Sequence, residues 1–224
     1  MKRRTLDIIF AGGGLLIAAI LVALAFAIGT QYAFAQDYVK GELSAQKITF
    51  PAADKLTAAE KTWQPGSTCL VEFAGQTMAS GKQAECYAKY FIALHMSTSA
   101  INAGFPGATY ATLGPIRTDL NAQITAAKTK GDTAAAEAAQ KKLDAATALR
   151  TTMQTGETLR GLLLTTYGFS VMGDLAGVAS NLLYGLGALM GLLSVAGFIH
   201  AFATPEDEVV LVPTTRREAT PTTA

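Results

Sequence analysis

The chain has 224 residues, 50% of them hydrophobic and only 16% charged, with a formal net charge of +1. A soluble globular domain usually carries nearer 25% charged residues, so apolar material is over-represented. The near-neutral balance, with basic residues scattered and forming no stripe, argues against nucleic acid as a partner.

The deficit of charge is local. Residues 1–5 form a short basic start, Lys2-Arg3-Arg4. An apolar run follows from Leu6 to about Ile28, with Asp7 its only charge, at the edge. About 20 apolar residues span a hydrocarbon core of roughly 30 Å. Residues 6–35 are therefore read as a first transmembrane helix with an outer extension. The basic flank holds the N-terminus in the cytoplasm. Gly12, Gly13 and Gly14 offer a smooth strip for another helix, although membrane helices tolerate glycine in any case. Ala33-Phe34-Ala35 has the small-x-small pattern that signal peptidase cuts. Secretory apolar cores run only about 7–15 residues, however, and the longer run here favours a retained anchor.

Residues 36–160 form a polar segment expected outside the membrane. It carries 13 Lys or Arg, which does not oppose that placement because long segments translocate regardless of charge. Both cysteines, Cys69 and Cys86, lie in it. Two cysteines on the oxidising side of a membrane most often pair, and closing this loop is worth about 3 kcal/mol in the chain-entropy model. Phe50-Pro51 breaks the first helix, and Asp54 or Thr57 can cap a short helix around Ala58 and Lys61. Trp63 to Gly81, with two Gly and one Pro inside, reads as a loop bounded by the disulfide. Ser80 can cap a helix from Gly81 to about Met96. On it Cys86, Tyr90 and Leu94, and likewise Tyr87, Phe91 and His95, share i, i+4 spacing and read as a core face.

Residues 116–155 are rich in Ala, Thr and Lys. Ile116, Leu120, Ile124 and Ala127 make one apolar stripe. Ala139, Leu143, Ala146, Leu149 and Met153 make a second. Gly131 stops the first helix and Asp132 caps the next, which predicts an Ala-rich antiparallel hairpin.

The second apolar stretch, Gly161 to Ala203, is too long for one perpendicular span, and Asp174 divides it. A carboxylate at the bilayer centre costs at least about 2.5 kcal/mol, so Asp174 is placed at the outer interface. That leaves residues 161–175 as an amphipathic approach helix and 176–203 as the second transmembrane helix. Gly187 and Gly191 give one GxxxG, which makes the two spans plausible neighbours. Glu157 and Arg160, at i and i+3, can pair near the outer interface. Residues 204–224, rich in Pro and Thr, read as a disordered cytoplasmic tail, with Glu206, Asp207, Glu208, Arg216 and Arg217 its charges. The fold class is mainly α, with two transmembrane helices flanking a small disulfide-stapled helical domain. The chain is expected in the inner (plasma) membrane, with both termini cytoplasmic and the bilayer itself as its first partner.

Enzyme, metal and cofactor motifs are not found: no HExxH, GxSxG, Walker A, dinucleotide loop or CxxCH occurs. His95 sits in an apolar context, Leu94-His95-Met96, and reads as a core or interface histidine. No catalytic, cofactor or metal residues are assigned, and the chain is expected not to be an enzyme.

Several segments together resemble an actinobacterial family of small two-span membrane proteins, that of the prokaryotic respiratory supercomplex association factor. They are Lys2-Arg3-Arg4-Thr5-Leu6-Asp7, Ala45-Gln46-Lys47-Ile48 with Phe50-Pro51-Ala52-Ala53, and Ala74-Gly75-Gln76 to Gly81-Lys82-Gln83-Ala84. Tyr87-Ala88 with Phe91-Ile92-Ala93-Leu94-His95, Thr109-Tyr110, and Gly156-Glu157-Thr158-Leu159-Arg160-Gly161-Leu162-Leu163-Leu164 complete the set. They cover about half the chain, and residues 116–155 match least well. Some family members are catalogued as the small subunit of an aromatic ring-opening dioxygenase. Such an enzyme needs metal-binding His and Glu, which one outer His does not supply. The resemblance implies instead a non-catalytic accessory or assembly subunit of the cytochrome bcc–aa3 oxidase supercomplex, in electron transport. The alternative is a stand-alone envelope sensor or binding protein whose outer domain holds a ligand or peptide.

Overall fold

The computed structural model describes residues 2–205. The charges of the tail from Glu206 to Arg217, and the disorder expected there, lie outside the described residues. Among these residues the fold is helical, with α1 Arg3–Ala45, α2 Ala58–Thr62, α3 Cys69–Glu72, α4 Gly81–Cys86, a π-helical turn Tyr87–Ile92, α5 Ala93–Asn102, α6 Leu113–Thr129 and α7 Thr133–Ala203. An isolated antiparallel bridge joins Thr49 to Thr77. Helices α1 (43 residues) and α7 (71 residues) are each long and apolar enough to cross a membrane.

Helix α1 ends before the expected break at Phe50-Pro51, whereas α7 outruns its expected bounds. Helix α1 continues past residue 35 to Ala45, ending before Lys47, whose φ is 54°. Helix α7 joins the second hairpin helix, the approach helix and the second apolar span without a break. No proline interrupts residues 133–203, and Pro205 follows the end. The interior glycines are not sufficient to stop a helix.

The chain divides into two compact units. One comprises Met1–Ala33 with Asp174–Ala224, and the other Phe34–Gly173. The boundary on α7 thus falls at Asp174, the residue singled out by its charge.

In the first unit α1 and α7 run antiparallel through small residues. Ala11, Ala18 and Ala25 are buried on α1, and Ser180, Ser194 and Ala201 on α7, with Gly187 in the same row. Each set recurs every seven residues, the period that keeps one seam facing a partner helix. A Cβ on Gly187 would meet Val22 Cγ2 at 2.9 Å and the Ala18 carbonyl oxygen at 3.4 Å. Gly177 lies equally close to the Tyr32 ring, and Gly197 to Ala11. Ser180 Oγ donates to the Ala25 carbonyl at 2.7 Å. Of the first glycine triplet only Gly14 joins this seam, against Ser194 and Met190; Gly12 and Gly13 have nothing within 4 Å. At 100° per residue, three consecutive positions cannot all face one neighbour. Gly191 touches the seam loosely, 4.0 Å from Ala18 Cβ.

The second unit has a core of larger side chains. Phe50, Leu70, Met78 and Leu113 are fully buried, with Leu43 and Val39 of α1 and Leu163 of α7. Cys69 and Cys86 form a disulfide with a Cα–Cα distance of 6.1 Å. It ties α3, a helical turn inside the segment expected to be loop, to the end of α4. Both expected caps form. Thr57 and Glu60 make a reciprocal capping box on α2, and Ser80 Oγ accepts from Gln83 N at 3.3 Å on α4. The Ala-rich hairpin is also present. Gly131 turns with φ 73°, Ala135 N donates to Asp132 Oδ1 at 2.9 Å, and Leu120, Ile124, Ala139, Ala146, Leu149 and Met153 are buried. Arg117 Nε donates to Thr147 Oγ1 across it, at 3.0 Å.

Candidate functional site: a groove beside His95

The sequence reads Gly81 to Met96 as one regular helix, but residues 87–92 adopt the wider π form. Such turns concentrate at functional sites because they re-aim the side chains that follow. Here the turn follows the disulfide. Its rings form a chain: Phe73 to Phe50 at 5.7 Å, Phe50 to Tyr87 at 5.3 Å, Tyr87 to Phe91 at 4.6 Å and Phe91 to His95 at 4.3 Å. Burial raises the pKa of the Tyr87 phenol. Of the two placements its flanks suggest, core or interface, His95 is not in the core. Its side chain is 54% exposed.

His95 stands on the wall of a groove of about 710 Å³. One wall is Phe91, Ile92, His95, Met96 and Ser99. The other is Ala148, Thr151, Thr152, Thr155 and Gly156 of α7. Gly156 sets the close approach at its base, since a Cβ there would meet Met96 Sδ at 2.6 Å. The hydroxyls have spent their protons inside the helices. Ser99 donates to His95 O at 2.8 Å, Thr155 to Thr151 O at 3.1 Å, and Thr151 and Thr152 likewise one turn back. The groove therefore offers methyls, methylenes and an aromatic edge, with no free hydroxyl donor. Its volume is that of a ligand or anchor-residue pocket.

Each nitrogen of the imidazole has an oxygen opposite it. Nδ1 lies 2.8 Å from the Phe91 carbonyl, which only accepts, so Nδ1 carries a hydrogen. Nε2 lies 3.4 Å from Glu60 Oε1. Glu60 is buried (6% exposed), and its Oε2 accepts from Thr57 N at 2.7 Å and Thr57 Oγ1 at 2.8 Å. The contact brings α2 beside α5. No sequence pattern flags it, because residues 60 and 95 are brought together only by the fold.

The other expected site residues are distributed as follows. Arg160 Nη1 donates to both Glu157 carboxylate oxygens at 2.9 Å, and Arg160 Nε to Ala88 O at 3.2 Å. The expected local pair thus also anchors α7 to the π turn. Beyond the expected residues, two carboxylates, Glu72 and Glu85, border the disulfide. Glu85 accepts from Lys89 at 2.6 Å, and this hydrogen bond raises the pKa of the ammonium. Asp174 is exposed on α7. Among the described residues no group of three or more His, Cys, Asp and Glu is placed to hold a metal ion. No family model matches the chain, and no curated protein or solved structure does.

Proposed function

We propose that the chain is a non-catalytic accessory or assembly subunit of a larger membrane complex. It spans the inner membrane twice, with residues 36–160 outside and both termini in the cytoplasm. The observation that carries this reading is the groove of about 710 Å³. One of its walls is continuous with α7, and its hydroxyls donate within the chain. It thus suits the apolar anchor residues of another protein. The placement is supported by the basic start before α1, by the two membrane-length helices and by a disulfide of the kind that persists in an oxidising compartment. The kind of complex, a cytochrome bcc–aa3 oxidase assembly, is supported by the family resemblance.

The test is purification of the tagged full-length chain from its native membrane in mild detergent. The proposal expects it to elute with a haem-containing oxidase assembly, identified by mass spectrometry and absorption spectra. A chain that elutes alone contradicts it. The same groove volume favours a second reading, a stand-alone envelope protein binding a small apolar ligand. A chain that elutes alone, with such a ligand extractable from it in equimolar amount, would favour that reading.

A further inference from the structure

Most exposed large apolar side chains of the disulfide-bearing unit gather on two helices. Phe34 and Tyr38 of α1, and Phe169, Val171 and Met172 of α7, all reach the surface where these helices adjoin their apolar stretches. The rings form one cluster. Phe34 stacks on Tyr38 at 5.8 Å, and Tyr38 meets Phe169 edge-on at 6.1 Å. Gly173 permits the approach, since a Cβ there would meet Ala35 Cβ at 2.8 Å. Residues 34–38 of α1 therefore lie level with residues 169–173 of α7. The adjoining length of α7 avoids charge. Gly161 to Gly173 contains no Asp, Glu, Lys or Arg. Thr165 and Thr166 donate to the Gly161 and Leu162 carbonyls, each at 2.9 Å.

A contiguous apolar patch on a protein surface marks contact with protein or membrane. Three observations favour lipid. The patch continues along α1 and α7 into segments of membrane length and hydropathy. The threonine hydroxyls beside it donate within the helix, as a side chain out of reach of water must. Tyrosine, the centre of the cluster, is enriched where hydrocarbon meets headgroups. The spacing agrees. A bilayer is about 40–45 Å thick and its hydrocarbon core about 30 Å, which leaves a headgroup layer of about 5–8 Å on each face. From Phe169 to Asp174 the helix rises about 7.5 Å. With Asp174 at the hydrocarbon boundary, the ring cluster fills that layer. We propose that Phe34, Tyr38, Phe169 and Met172 form a collar in the headgroup layer of the outer leaflet, in contact with phospholipid. The exposed charges beside it, Asp37 and Lys40, lie among headgroups and water there. The inference rests on the membrane placement in the accessory-subunit reading and gives it a depth and a lipid contact.

Depth is read from tryptophan reporters in the full-length chain, reconstituted in phosphatidylcholine vesicles. Trp63→Phe removes the single natural tryptophan. Phe169→Trp, Phe26→Trp or Ile101→Trp then supplies one reporter, each at an exposed position. Bromines on the acyl chains quench a tryptophan that they touch. The Phe169→Trp reporter should lose emission to lipid brominated near the glycerol, and less to lipid brominated at the chain ends. Phe26→Trp, on the first apolar stretch, should show the reverse order. Ile101→Trp should respond to neither lipid and only to aqueous iodide. An unquenched Phe169→Trp beside a quenched Phe26→Trp overturns the collar alone. A Phe169→Trp reporter quenched most from the chain ends also overturns it, placing the rings in the hydrocarbon core. If Phe26→Trp is unquenched as well, the membrane placement falls with the collar. The occupant is read in native membranes from a p-benzoylphenylalanine side chain at position 169, with Trp63 kept. A phospholipid adduct, identified by mass spectrometry, is expected. A discrete protein adduct overturns the proposal in favour of a partner helix, and no adduct overturns it in favour of water. A chain that purifies alone yet carries the lipid adduct sinks the accessory-subunit role and leaves the collar standing.

Discussion

The two units hold their helices by opposite means. In the two-helix unit the seam is Ala11, Ala18 and Ala25 against Ser180, Gly187, Ser194 and Ala201, side chains with little area to bury. The gain comes from backbone proximity, which brings many atoms into dispersion range and lets Ser180 reach the Ala25 carbonyl. In the disulfide-bearing unit Phe50, Leu70, Met78 and Leu113 are sealed from solvent, and caps and a covalent tie fix the short helices around them. Burying such side chains contributes about 1.5–3 kcal/mol each in water. In hydrocarbon it contributes little, because lipid is as apolar as leucine. Each unit is thus built for the medium that the proposed topology assigns to it. Helices α1 and α7 carry both kinds of face in one continuous element each.

The largest effect that would break this contrast is removal of the staple. Cys69→Ala with Cys86→Ala should cost the disulfide-bearing unit about 3 kcal/mol, within a range reaching about 5. Trp63, the single tryptophan, lies in that unit, so its fluorescence during unfolding reads the loss there. A reductant should reproduce it in the wild type. Second in size is the seam. Gly187→Leu drives a side chain into Val22 and the Ala18 carbonyl and should cost about 1–3 kcal/mol. Gly185→Leu, with nothing within 4 Å of its Cβ, should stay within about 0.5 kcal/mol of wild type. Helical circular dichroism on heating in detergent distinguishes the two. Equal costs would mean that the seam is not where the helices meet. Ser180→Ala removes one interhelical hydrogen bond and should cost about 0.6 kcal/mol by the same measurement.

The smallest effect is confined to alkaline pH. Burial raises the Tyr87 phenol above its ordinary value of 10.0, so the folded state holds that proton more tightly than the unfolded chain does. The stability this gives is complete below the unfolded value and is lost as pH rises through the folded one. Tyr87→Phe should therefore be silent at pH 7 and flatten the stability loss above about pH 10. This is read by urea unfolding followed through Trp63.

Most local features of this architecture are legible in the sequence because their signals lie within a few residues of one another. Thr57 with Glu60, Ser80 with Gln83, Gly131 with Asp132, and Glu157 with Arg160 are short-range patterns. The cysteine pairing needs only two cysteines. The seam was legible in principle, since Ala11, Ala18 and Ala25, and Ser180, Gly187, Ser194 and Ala201, both repeat at seven. The GxxxG does point to Gly187 in the seam, but the glycine triplet draws the eye to Gly12 and Gly13, which face away. The π turn left no pattern, because Tyr87 to Ile92 is as compatible with a regular helix. The Glu60 to His95 contact joins residues 35 positions apart. Nothing local encodes such pairs. The continuity of α7 is hidden for another reason: Asp174 argues for a change of surroundings, and a helix can change surroundings without a break.

The most direct test is photo-crosslinking from the groove. A photoreactive side chain at Thr152, on the groove wall, is compared in native membranes with the same group at Gln140, exposed on α7. The account predicts a discrete adduct with an oxidase-complex subunit from position 152 and none from position 140. No adduct from 152, or the same scatter of products from both positions, would contradict it.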